Sequence, residues 1–132
     1  VIVLDTHIWI WWIHGDERLN KQQIAWLKEN ENQGLGVSII SCWEVAKLVE
    51  YERLVLPCSV SEWLDQALSY PGIQLLELTP RIVVEATQLP ENFHQDPADQ
   101  LIVATARILD CSLLTADIKI LNYSHVRTFK NL

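Results

Sequence analysis

Hydrophobic and polar positions along the chain switch repeatedly between short apolar runs and stripes of helical period. Val1-Ile2-Val3-Leu4 is a continuous apolar run, rich in Val and Ile, that stops at Asp5. Such a run reads as a strand buried on both faces, the kind found in parallel sheets. From Thr6 to about Ile13 the residues Trp9, Trp12 and Ile13 repeat at i, i+3, i+4, with Ile8, Ile10 and Trp11 filling the other sides. A helix this apolar all round is either buried or part of an interface, and a subunit or partner interface is the expectation here. His14-Gly15-Asp16 breaks it, and a more polar helix follows from about Asn20 to Asn32.

Gln33-Gly34-Leu35-Gly36 stops that helix, and Val37-Ser38-Ile39-Ile40 reads as a second strand. The next helix opens at Ser41-Cys42-Trp43-Glu44 and runs to about Glu52, with Val45, Leu48 and Val49 as its stripe. Ser41-x-x-Glu44 matches the capping-box pattern. A helix over 60–69, capped by Ser59 or Ser61, leads through Pro71-Gly72 to a third strand, Ile73 to Leu78. Thr79-Pro80 starts a helix to about Gln88, proline fitting the first helical position. Asp96-Pro97-Ala98-Asp99 launches the last long helix, to about Leu109. Ser112 to Thr115 is a fourth strand, a helical turn follows around Ile118 to Leu121, and Val126-Arg127-Thr128 predicts an edge strand. Strands alternating with helices imply a mainly parallel sheet of four or five strands with helices on both faces. Right-handed crossovers then bring every strand's carboxyl end to one edge.

Length and composition narrow the class. The 132 residues predict one domain spanning 1–132, and 49% hydrophobic with 20% charged residues is enough for a real core. No apolar run approaches the roughly 18 residues of a membrane span, and the strand-like start lacks the basic region of a signal peptide. Cys42, Cys58 and Cys111 are scattered, with no C-x-x-C pair, so zinc is not expected and a reduced, cytoplasmic setting is. The net charge of −7 argues against a strong non-specific grip on nucleic acid, but not against a nuclease whose acids hold metal ions. It also suits a basic protein partner.

The acids that fall just after strand ends are Asp5, Glu44, Asp99 with Asp96 beside it, and Asp117. Each has a local role open to it. Asp5 and Asp117 can cap the helices after them, Glu44 can partner Ser41, Asp96 can cap the helix that Pro97 begins, and Asp99 can favour that helix's dipole. Local roles do not explain why the topology gathers these acids on one edge, with Glu44, Asp96 and Asp99 all expected in helix first turns. Carboxylates crowded in one crevice raise each other's pKa values unless a cation is present. An oxygen-rich cluster suits Mg²⁺ or Mn²⁺, ions that bind substrate phosphate and activate water.

Leu4-Asp5-Thr6-His7, Trp43-Glu44-Val45-Ala46, the run from Asp96 to Ala106, and Leu114-Thr115-Ala116-Asp117 together resemble the PIN domain. More narrowly they resemble the VapC-type toxins of bacterial toxin–antitoxin pairs. The resemblance covers essentially the whole chain, with four motifs in order. It implies a three-layer α/β/α domain and a Mg²⁺- or Mn²⁺-dependent endoribonuclease, paired with an antitoxin and forming a homodimer. It carries the metal-binding and catalytic roles onto Asp5, Glu44, Asp99 and Asp117. Asp5 and Asp99 would be the core ligands, Glu44 a ligand or water-orienting group, and Asp117 the completing acid. Asp96 reads first as a cap and second as an outer ligand. Thr6 and Thr115 are candidate outer-shell hydroxyls, and Lys47, one turn after Glu44, is a candidate phosphate contact or an exposed lysine. Close family members often carry Arg where this chain has Gln100, which leaves less positive charge at the mouth.

Other signals are weaker. His7, His14, His94 and His125 do not form a ligand set, and His7 reads as packing or support for Asp5. Arg107 reads as a surface ion-pair residue. Trp9, Trp12 and Trp43 lie on apolar stripes and are expected in core or interface. No Gly-rich phosphate loop follows a strand. A receiver-like reading fails because Asp5 stands alone on its strand, and a haloacid dehalogenase-like one because His7 stands where a second Asp is needed. A non-catalytic nucleic-acid or protein-binding module on the same fold is the remaining alternative.

Overall fold

The computed structural model describes residues 1–130 and contains four strands and seven helices among them. The strands are β1 (Ile2–Leu4), β2 (Leu35–Ser38), β3 (Ile73–Leu76) and β4 (Leu113–Leu114). The helices are α1 (Thr6–His14), α2 (Lys21–Asn30), α3 (Ile39–Glu50), α4 (Val60–Leu68), α5 (Pro80–Ala86), α6 (Pro97–Leu109) and α7 (Ile118–Leu121). The sheet order is β3-β2-β1-β4, and every pairing is parallel. Strand β1 is therefore central, with Val3 in register with Gly36 on one side and Leu113 on the other.

The period-two rule divides β1 between two cores. Ile2 and Leu4 join Ile8, Trp9, Val45, Trp63 and their neighbours on one face. Val3 packs with Ile102, Val103, Ala106 and Ile120 on the other. Helices thus cover both sides of the sheet, giving the expected three-layer α/β/α arrangement. The all-apolar α1 is mostly core: Ile8, Trp9 and Ile10 are buried, and Trp11, Trp12 and Ile13 pack half-buried against the same cluster. On its buried face the Trp63 ring meets Trp9 edge-on at 5.0 Å. Gly15 ends the helix at φ 60°, the left-handed C-cap that glycine adopts without penalty.

The main differences from the sequence reading lie at two places. Strand β2 spans Leu35–Ser38, and Ile39-Ile40 are already the first turn of α3. Ser38, not Ser41, is the N-cap, its hydroxyl accepting from the Ile40 N–H at 3.1 Å. The Ser41–Glu44 capping box therefore does not form. Glu44 sits in the second turn of α3 rather than the first. At the other edge, the strand expected over 126–128 reduces to a single parallel bridge between Leu113 and Thr128. Ser59 is the cap of α4, Thr79 caps α5 with Pro80 following, and Asp96 caps α6.

Candidate active site

Parallel topology delivers the ends of β1 and β4 and the N-terminal parts of α3 and α6 to one edge. A crevice of about 290 Å³ opens there, lined by Asp5, His7, Glu44, Asp96, Asp99 and Asp117, with Trp11 and Ala116. All four acids singled out after strand ends thus face one space.

Asp5 is the most enclosed, with 6% of its surface exposed. Its Oδ1 accepts from the Thr6 N–H at 2.8 Å, the helix-cap bond, and its Oδ2 accepts from the Thr115 hydroxyl at 2.6 Å. Cap and crevice position therefore coincide in one residue. Burial pushes its pKa up, and the bonds from Thr115 and Thr6 oppose the rise. Thr115 in turn accepts from the Asp117 N–H at 3.0 Å, so one hydroxyl ties two acid-bearing segments together.

Glu44 is held by the Thr6 hydroxyl, which also lies 2.8 Å from Ser41 Oγ. A hydroxyl has a single proton to give. When Glu44 is ionised, Thr6 donates to it and Ser41 donates to Thr6. The buried Ser41, freed from capping, becomes the far end of this relay. Burial pushes the Glu44 carboxyl up to about 7 against the Thr6 bond, with Asp5, Asp99 and Asp96 adding to the rise.

Asp99, in the first turn of α6, bonds through Oδ2 to His94 Nε2 at 2.7 Å. Burial raises its pKa to about 6, opposed by His94 and assisted by Asp5, Asp96 and Asp117. The Gln100 side chain donates to the His94 carbonyl at 3.1 Å and so fixes the loop that carries the histidine. His94 is the contact that sequence spacing missed. Asp96 caps α6, its Oδ1 accepting from the Ala98 and Asp99 N–H groups at 3.0 and 3.2 Å. Asp117 caps α7 through the Lys119 N–H at 2.9 Å.

Other expectations resolve differently. His7 is exposed at the crevice mouth rather than packed inside. Trp9 is fully buried and Trp12 half-buried, but Trp43 is 53% exposed and belongs to no core. Lys47 pairs with Glu50 at 2.9 Å. Arg107 pairs with Glu85 at 2.7 Å, half-buried rather than at the surface, and also donates to the His125 carbonyl. The three cysteines are free thiols.

Among the described residues, no three His, Cys, Asp or Glu side chains converge into a ready-made cation cage. The hydrogen bonds above explain this, since each acid is already turned to a neighbour. A carboxylate offers about four lone-pair sites, so one or two such bonds leave it able to accept a cation. The donor set is all oxygen and all acidic, and burial, with repulsion among the acids adding to it, raises Glu44 to about 7 and Asp99 to about 6. That chemistry fits a hard divalent ion and no softer metal.

The chain is similar to known proteins over nearly its whole length. The chain is 33% identical to ribonuclease VapC22 of Mycobacterium tuberculosis over 126 residues, 96% of this chain and 94% of the relative. Its fold is similar to that of the DNA-bound VapBC structure from Salmonella typhimurium, at TM-score 0.72 and 16% identity over 97% of this chain and 96% of that one. It is also similar to FitAcB from Neisseria gonorrhoeae, at TM-score 0.69 and 22% identity over 98% and 97%. The PIN domain model matches residues 2–126, from the first residue of β1 to beyond α7, and so takes in every acid of the crevice. The chain belongs to the PIN-domain family.

Proposed function

We propose that the protein is a metal-dependent endoribonuclease, the toxin of a toxin–antitoxin pair. The observation that carries this reading is the meeting of Asp5, Glu44, Asp99 and Asp117 on one crevice. The ribonuclease relative over nearly the full length supports RNA as the substrate. The toxin–antitoxin and VapBC complexes among structural neighbours support a cognate antitoxin as partner.

Asp5, Glu44, Asp99 and Asp117 would hold Mg²⁺ or Mn²⁺, with Asp96 outside them. When bound, the cation supplies Lewis-acid polarisation of the phosphoryl group and acidifies the attacking water. The protein's own groups do the positioning. Thr115 and the Thr6 N–H fix both oxygens of Asp5, and His94 fixes Asp99. Glu44 has the highest proton affinity of the partly exposed acids and is the group suited to align water and take its proton. Water oxygen adds to phosphorus, the bond from phosphorus to the 3′ oxygen breaks, and that oxygen leaves with a proton. By analogy with the family, the fragments carry a 5′-phosphate and a 3′-hydroxyl.

The protein is also proposed to form a homodimer and to act in the cytoplasm. No helix among the described residues is long and apolar enough to cross a membrane. The second reading, a binding module that cuts nothing, draws on the acids being tied to neighbours rather than converged on one point. Incubation of total RNA with the protein and Mn²⁺, beside Asp99→Asn, separates the two. Cleavage that Asp99→Asn loses by 100-fold or more supports the nuclease. Equal fragment patterns from both proteins, or from neither, favour the binding module.

A further inference from the structure

Beyond one wall of the acid crevice lies a second depression of about 270 Å³, and Glu44 and Asp96 line both. Its floor and sides include Trp43, Lys47, Tyr51 and Arg53. Trp43 is 53% and Tyr51 65% exposed, an unusual state for two aromatic rings along one face of α3 and its C-cap in a chain that buries Trp9 and Trp63 completely or nearly so. The Lys47 ammonium lies 5.7 Å from the Trp43 ring centroid and 5.3 Å from that of Tyr51, so it bridges the two faces. Glu50 anchors the same ammonium at 2.9 Å. Two open rings with a held cation between them make a platform on which a planar, electron-rich ring can stack beside a phosphate.

We propose that Trp43 and Tyr51, bridged by Lys47, form a stacking subsite for an unpaired nucleobase next to the phosphate at the acid crevice. This rests on the nuclease reading above and deepens it. Three observations select a nucleobase over a protein side chain as occupant. The platform shares its wall with the acids, so a chain whose phosphate sits at Glu44 presents its neighbouring base there. Lys47 and Arg53 supply cationic donors at this spot, beside Glu44 and Asp96 and with Glu50 bound to Lys47, so a phosphate meets individual donors here rather than a net positive field. Stacking is available to a base that has left its helix and denied to a paired one.

The test uses a pool of random-sequence RNA 12-mers with Mn²⁺, which holds every short recognition sequence, and the same pool annealed to its complement. The wild-type protein, Trp43→Ala, Trp43→Phe and Tyr51→Ala are compared by kcat/KM, with thermal melting and sedimentation as controls. We expect the wild type to cut the single strands at least tenfold faster than the duplex. Trp43→Ala should lose about tenfold in kcat/KM, the value of one stacked base. Trp43→Phe, which keeps a ring, should recover most of it at unchanged melting temperature. Wild-type cleavage with unchanged kcat/KM in Trp43→Ala overturns the subsite and leaves the nuclease reading standing. Self-association lost in Trp43→Ala at unchanged kcat/KM assigns the platform to a protein contact and likewise overturns it. No cleavage of the pool by the wild type removes the nuclease reading, and the subsite falls with it.

Discussion

The Thr115 hydroxyl donates to Asp5 Oδ2 across 2.6 Å, joining residues 110 positions apart in the chain. Both follow the carboxyl ends of adjacent parallel strands, β1 and β4. The bond is buried, and removing one partner of a buried hydrogen bond costs about 1–3 kcal/mol. Thr115→Val keeps the shape and removes the donor. It should destabilise the protein by about 2 kcal/mol at pH 7 in urea unfolding, while Thr115→Ser stays close to wild type.

Stability without metal should fall as pH rises through the acids. Glu44 and Asp99 bind protons more tightly folded than unfolded, at about 7 and about 6 against ordinary values of 4.5 and 3.8. The folded state therefore holds more protons between roughly pH 4 and 7, and stability is lost across that window as pH rises. Thermal melts in chelator should show the loss, and Glu44→Gln should flatten it and melt higher than wild type at pH 8. Mn²⁺ should raise the wild-type melting temperature most above pH 7, where the acids are ionised.

His94 should act through Asp99. Its bond lowers the proton affinity of that carboxyl, so His94→Ala should raise it and move the acidic limb of the pH–rate profile to higher pH. Loss of a supporting group of this kind costs about 10- to 100-fold in activity or metal affinity. A loss uniform across pH 5.5–8.5 would show that His94 acts only by holding the loop.

The interior of α1 should dominate core stability. Trp9 is fully buried and stacks edge-on against Trp63. Trp9→Ala should cost about 3–5 kcal/mol by denaturant unfolding, whereas Trp43→Ala should lie within about 0.5 kcal/mol of wild type.

The sheet and its acid-bearing edge were legible because their signals are local. Apolar runs mark strands buried on both faces, and the acids follow them directly. The β2–α3 boundary was hidden because Ile39-Ile40 are β-branched and continue the apolar run of Val37. Only the Ser38 cap, a side-chain hydroxyl taking the Ile40 N–H, turns them into helix. That shift moved Ser41 from cap to relay and Glu44 from first turn to second. His94 was invisible because its partnership with Asp99 depends on how the loop before Asp96 folds back, which no spacing encodes. Trp43 misled for a related reason: next to Val45 it reads as part of a stripe, yet 100° per residue carries it off the buried face. The strand expected over 126–128 shrank to one bridge because β4 itself has only two residues to offer.

The most direct test of the central claim, that these acids form one divalent-cation site, is calorimetric titration of Mn²⁺ into the wild-type protein and into Asp99→Asn, without RNA. Asp99 is partly exposed, so the variant should fold. Binding to the wild type that falls at least tenfold in Asp99→Asn is the predicted result. Binding of equal strength to both proteins would contradict the account, because the acids of the crevice would then not be the site.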